Sequence, residues 1–173
     1  MLLINGMPAI HIELKRSGVP ISQAYNQIEK YTKEGVFTGL FSLVQIFVSM
    51  TPEETVYFAN PGHDGIFNKN YYFHWADFNN EPINNWKKIA SSLLHIPMAH
   101  ELIGFYTIAD NSGGILKVMR SYQYYAVNAI ADKVILLTDR IEIGTQSLKE
   151  YRNFAEENEW YRQRKIYMYS YRN

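Results

Sequence analysis

Hydrophobic and polar positions change period several times along the chain, and each change marks an expected element. Leu2 to Ile4 is a short apolar run ending at Asn5-Gly6, the dipeptide best suited to the left-handed backbone of a type I′ hairpin turn. From Ala9 to Leu14 the period is two, with Ile10 and Ile12 set apart from His11 and Glu13, as in a half-buried strand. Pro20 and Ser22 stand where a helix would start. The stripe Ala24, Ile28 and Tyr31, with Gln27 on or beside it, predicts a helix to about Lys33. Leu43 to Val48 and Thr55 to Ala59 are β-branched and aromatic runs that predict buried strands, joined by a turn at Thr51-Pro52-Glu53-Glu54.

Asn60 to Asn80 is rich in Gly, Asn, His and aromatic residues and reads as a long surface loop with one strand at Tyr71 to Trp75. Ile83 to Leu94 and Met98 to Ile108 predict helices, the second begun by Pro97, and Asp110-Asn111-Ser112-Gly113-Gly114 reads as a linker. Beyond it, Ser121 to Ala131 predicts a helix, Lys133 to Thr138 an apolar strand, and Thr145 to Glu157 a helix with i, i+4 charge pairs. Trp160 to Asn173 is dense in Tyr and Arg with no clear period. The order β-β-α-β-β, then helices, then α-β-α predicts an α/β fold with a mixed sheet flanked by helices.

Composition narrows the class. In 173 residues, 47 % hydrophobic and 15 % aromatic content is ample for a packed core, enough for one domain or one domain and part of another. No apolar run approaches the ~20 residues of a membrane span, and the N-terminus lacks the pattern of a signal peptide. The chain has no cysteine, so disulfides and thiolate metal sites are excluded and cytoplasmic residence is expected. Zero net charge gives no global signature of nucleic-acid binding, although local patches could still contact a backbone.

The candidate chemistry begins at Glu13 and Lys15, which point to one face of their strand. Such a pair can be a solvated strand face. It is also how a nuclease sets a Mg²⁺ ligand beside a lysine that orients or deprotonates the attacking water. One Glu is too few for that ion, and the strand before Asn5-Gly6 holds no acid. Gln27 and Tyr31, one helical turn apart, either pack or reach the same site. His95, His100 and Glu101 lack the spacing of a zinc helix, and His63, Asp64, His74 and Asp77 suit loop hydrogen bonding better than a cation site. Val134 to Asp139 could pass for the acidic strand of an NTPase, but the chain has no Gly-Lys dipeptide and hence no phosphate-cradling loop. The tail's Arg162, Arg164, Lys165 and Arg172, interleaved with tyrosines, could stack on single-stranded nucleic acid or lie solvated.

Taken together, Leu3 to Pro8, Ile12 to Arg16, Ala24 to Ile28 with Tyr31, Tyr57 to Asn60, Phe73 to Asp77, Lys117 to Gln123 and Thr138 to Arg140 through Tyr151 resemble the restriction subunit of type I restriction-modification enzymes, up to about Ala155. The resemblance implies a PD-(D/E)xK nuclease domain followed by a superfamily 2 translocase. It assigns Glu13 and Lys15 to the nuclease motif, with Glu13 as metal ligand, and Gln27 and Tyr31 to its Gln-x-x-x-Tyr helix. Arg120, Tyr122 and Gln123 resemble an adenine-sensing element, and Asp139 and Arg140 a later motor motif. It thus implies Mg²⁺, DNA as substrate, modification and specificity subunits as partners, and ATP in the intact subunit though not hydrolysed by this chain.

Three departures accompany the resemblance. The family's metal-binding aspartate is expected just upstream of Met1, its Walker A loop is expected between about Ile130 and Asp132, and the likeness fades beyond about Glu156. The expected organisation is therefore a nuclease-like domain over 1–110 with a helical extension from about 83, a motor-domain remnant over 115–157, and an unassigned tail over 158–173. By this reading the chain alone is weakly active or inactive. The alternative is a non-catalytic module binding DNA or the partner subunits.

Overall fold

In the computed structural model of the chain, which describes residues 1–62, 65–110, 115–131, 133–138, 149 and 165–170, strand β1 (Leu2–Ile4) turns back antiparallel on β2 (Met7–Leu14). Asn5 and Gly6 have φ of 50° and 81°, the two successive positive values that a type I′ turn requires. Helix α1 (Ile21–Lys33) then crosses over, and β3 (Ile46–Met50) pairs parallel with β2, Ile10 opposite Ile46 and Glu13 opposite Ser49. β4 (Thr55–Ala59) returns antiparallel to β3, giving a mixed sheet in the order β1-β2-β3-β4.

The crossover ends on a glycine for a geometric reason. Gly35 has φ 73°; its N–H donates to Thr32 O at 3.1 Å and the Val36 N–H to Tyr31 O at 3.0 Å. These two bonds are the Schellman pair that satisfies the last carbonyls of a helix. The turn redirects the chain so that Phe37 enters the core with Ile28, Val44, Phe47, Val56 and Phe58. β3 is buried along its whole length, because α1 covers one face while Trp75, Ile89, Leu93 and Leu102 are buried in the unit's remaining core. Continuous apolar strands are what a sheet covered on both faces selects.

The observed elements differ from the sequence-based expectation in several places. β3 starts at Ile46, because Gly39–Leu43 winds into a 3₁₀ turn before the strand. Tyr71 to Trp75 forms only an isolated antiparallel bridge between Phe73 and Tyr57. Helix α2 spans Trp86–Ser91, its N-terminus capped by the Asn85 side chain, and α3 spans Ile96–Phe105. Thr107–Asp110, expected as helix and linker, is instead β5 of an antiparallel hairpin with β6 (Ile115–Val118). The β-branched Thr107 and Ile108 favour that outcome. Residues 111–114 of the expected linker lie outside the described residues.

The chain divides into two compact units, Met1–Tyr124 and Tyr125–Asn173. Helix α4 (Ser121–Ala131) crosses the division. In the second unit β7 (Lys133–Thr138) pairs parallel with β8 (Lys165–Ser170), so the aperiodic tail contains a strand. The expected helix Thr145 to Glu157, apart from Lys149, and the motif residues Asp139 and Arg140 lie outside the described residues. Among the described residues no helix is long and apolar enough to cross a membrane.

Candidate active site

The period-two alternation of β2 places His11 and Glu13 on the α1 side of the sheet, and Lys15 follows directly after the strand. The Lys15 backbone N–H donates to Met50 O at 2.9 Å, which prolongs the β2–β3 seam by one bond. The Lys15 ammonium donates to Glu13 Oε1 at 2.8 Å, the two side chains being 25 % and 15 % exposed. A charge-assisted bond this short, partly shielded from water, fixes both groups.

His11 approaches the other carboxylate oxygen, with Nε2 3.7 Å from Glu13 Oε2. Its ring is walled edge-on by Phe37 at 5.1 Å, Phe47 at 6.2 Å and Tyr31 at 6.4 Å between centroids. Burial among these rings lowers the imidazole pKa, opposed by the nearby Glu13 charge. Two buried atoms here have no hydrogen-bond partner: His11 Nε2 and the hydroxyl of Ser49. Ser49 is fully buried on β3 directly opposite Glu13. Sequence reasoning missed both residues, although the alternation that found Glu13 points two positions back to His11, and Ser49 interrupts an otherwise apolar strand.

Of the residues expected to act together, Glu13 and Lys15 are in contact, and Tyr31 reaches the same strand face through His11. Gln27 is half-buried one turn earlier on α1; among the described residues no hydrogen bond joins it to Glu13 or Lys15. No group of three or more His, Asp or Glu side chains placed to hold a metal ion occurs among the described residues. The donors present still fit a divalent cation, since Mg²⁺ is commonly held by one or two carboxylates with water and phosphate oxygens completing the shell. The unpartnered Ser49 and His11 atoms add polar capacity around that carboxylate.

Arg120, Tyr122 and Gln123 lie together at the start of α4. The Gln123 side-chain oxygen accepts from the Arg120 backbone N–H at 3.0 Å, and the Arg120 guanidinium lies 4.6 Å from the Phe73 ring centre. Tyr71, Phe73, Lys117, Arg120, Tyr122 and Gln123 border an open cavity of about 400 Å³. Tyr57, on β4, donates its hydroxyl to Met119 O at 2.8 Å, and burial pushes its pKa well above the usual phenol range.

Three other side chains singled out in the sequence make local hydrogen bonds or close polar contacts. His74 Nδ1 lies 3.1 Å from Thr55 O. Asp77 Oδ1 accepts from the N–H groups of Asn79 and Glu81 at 2.9 and 3.0 Å. Glu101 accepts from the Tyr124 hydroxyl at 3.3 Å. His63 and Asp64 lie outside the described residues.

The fold is a mixed sheet flanked by helices, with Glu13 near the end of its second strand and Lys15 just beyond it, and comparison with known proteins adds the lineage. Residues 1–65 match the family described as the type I restriction enzyme R protein N terminus. The chain belongs to the family of type I restriction enzyme R subunits. It is 31 % identical, over 90 % of its length, to the endonuclease subunit of a type I restriction enzyme from Staphylococcus aureus (strain COL), of which it covers 20 %. It is 37 % identical over 75 % of its length to the corresponding subunit from Staphylococcus saprophyticus, covering 14 % of that protein. It is 33 % identical over 77 % of its length to the EcoprrI endonuclease subunit of Escherichia coli, covering 43 %. The chain thus spans about a fifth of the length of its S. aureus relatives. That alignment runs over 192 positions although the chain has 173 residues, so the relative carries residues inside the matched span that this chain lacks.

Proposed function

We propose that the first unit is the nuclease region of a type I restriction subunit, built on a PD-(D/E)xK-type sheet, and that residues from about 115 derive from the adjoining superfamily 2 motor domain. In this reading Glu13 holds a Mg²⁺ ion, which when bound supplies charge stabilisation to the scissile phosphate. Lys15 orients or deprotonates the attacking water, and Gln27 and Tyr31 on α1 set the lysine or a phosphate oxygen. Arg120, Tyr122 and Gln123 are the adenine-contacting element of the motor; the aromatic-walled cavity beside them supports that role. A loss of the Walker A loop between about Ile130 and Asp132 would account for residues that the S. aureus protein carries and this chain lacks. The whole subunit's function is then cytoplasmic, Mg²⁺-dependent cleavage of unmethylated DNA, coupled to ATP-driven translocation in a complex with modification and specificity subunits. This chain alone cuts weakly and does not hydrolyse ATP.

The observation that carries this proposal is the Lys15 ammonium held 2.8 Å from the Glu13 carboxylate on a strand backed by α1. Incubating the purified chain with supercoiled plasmid and Mg²⁺ tests it. Slow nicking, lost in Glu13→Gln and in Lys15→Ala, is the expected result; cleavage that survives both substitutions would overturn the assignment. The presence of one carboxylate, with no cluster of three metal-type side chains among the described residues, favours a second reading: a non-catalytic module that binds DNA or the partner subunits. DNA retention or subunit pull-down unchanged by Glu13→Gln, with no nicking at any Mg²⁺ concentration, would select that reading.

A further inference from the structure

We propose that His11 is a second ligand of the divalent ion at Glu13 and that its imidazole makes this site prefer Mn²⁺ to Mg²⁺, an inference that rests on the metal-site reading above. Three observations converge on it. His11 Nε2 is buried and makes no hydrogen bond of normal length, and a buried polar atom of that kind calls for an explanation such as strain, a water, an ion or a catalytic role. It lies 3.7 Å from Glu13 Oε2, too far for a hydrogen bond. That separation falls within the span of two donors each about 2.1 Å from a shared ion, which is about 3 Å at a right angle and about 4.2 Å in line.

The carboxylate is also divided between its neighbours. Lys15 takes Oε1 at 2.8 Å, so an ion on the Oε2 edge need not displace the lysine that the proposed chemistry requires. The third observation is Ser49, whose fully buried hydroxyl has no partner and sits opposite Glu13 on the adjacent strand. It can hold a water of the ion's shell or coordinate directly.

The preference follows from the donors. Mg²⁺ favours carboxylate, carbonyl and water oxygens, whereas imidazole nitrogen suits first-row transition ions; Mn²⁺ is the member of that row that most resembles Mg²⁺ in its use of oxygen ligands, so one added nitrogen tips the balance toward it. The rings of Phe37, Phe47 and Tyr31 around His11 restrict its movement, which holds the nitrogen in place before the ion arrives.

The test uses the full chain without DNA. Mn²⁺ binding is followed by loss of the free-ion electron paramagnetic resonance signal, with Mg²⁺ as competitor. Pulsed measurements on the bound ion report coupling to ligand nitrogen. The wild type is expected to bind Mn²⁺ more tightly than Mg²⁺ and to show imidazole nitrogen coupling. His11→Gln should abolish that coupling and weaken Mn²⁺ binding at least about tenfold, while changing Mg²⁺ binding less. Glu13→Gln should remove binding of both ions. Bound Mn²⁺ without nitrogen coupling in the wild type, or no Mn²⁺ binding at all, would overturn the proposal without depending on whether a variant folds. Nitrogen-coupled Mn²⁺ in a chain that never nicks DNA would uphold the ligand assignment and remove the nuclease reading instead.

Discussion

Two clusters of polar side chains serve the first unit, and they differ in what remains unpaired. At the Arg120 corner, hydrogen-bonding capacity is spent on the fold: Gln123 accepts from the Arg120 N–H, and Tyr57 donates to Met119 O. Arg120 also rests on Phe73. At the β2 face, Lys15 and Glu13 satisfy each other, yet His11 Nε2 and the Ser49 hydroxyl are buried without hydrogen-bond partners. A satisfied network contributes to stability, whereas a buried polar atom left without a partner costs stability. The contrast separates a corner where these hydrogen bonds are made from a strand face that keeps two buried polar atoms without partners.

The most severe test removes the aromatic support beneath the strand-face cluster. Phe47 is fully buried and contacts Phe37, Phe58 and Phe67 besides the His11 ring. Phe47→Ala is expected to cost about 3–5 kcal/mol in urea unfolding, as large-to-small core changes do. Next comes the direct comparison of the two clusters. Tyr57→Phe, which strips the Met119 carbonyl of its donor, should cost about 1–2 kcal/mol. Ser49→Ala should be neutral or stabilising without metal, since it removes a buried hydroxyl that bonds nothing. If Ser49→Ala proves as costly as Tyr57→Phe, the distinction between the clusters fails.

Gly35→Ala should destabilise by about 1 kcal/mol, because the Schellman turn requires a positive φ there. The smallest effect concerns pH. Burial lowers the His11 pKa below its unfolded value of 6.5, so the unfolded chain takes up that proton first. Stability from this residue is therefore full above pH 6.5 and declines as pH falls toward the folded-state pKa. Unfolding midpoints measured across that window should drop in the wild type and flatten in His11→Gln.

Much of this arrangement was legible in the residues, and the failures have physical causes. The Asn5-Gly6 turn, the alternation through β2 and the stripe of α1 are local signals, and the structure follows them closely. The hairpin β5–β6 was missed because its first strand is only four residues long and follows an apolar helix without a break in composition. The tail strand β8 was missed for another reason: its partner β7 lies far away in sequence, and the Tyr- and Arg-rich residues around it carry no sustained period. Glu13, Lys15, Gln27 and Tyr31 came from spacing and family resemblance. His11 and Ser49 did not, because what singles them out is an unsatisfied atom, and satisfaction of hydrogen bonds is a property of the folded molecule alone.

The parallel seam between β2 and β3 has a consequence in time. The Lys15–Glu13 pair joins near neighbours and can form as soon as that strand is extended, whereas Ser49 meets Glu13 only after the whole α1 crossover has closed, at a loop-closure cost that slows folding. A chain weakened in the crossover would therefore lose the enclosing wall first. It would retain an acid and a lysine side by side in water, without the buried His11 and Ser49 atoms beside them.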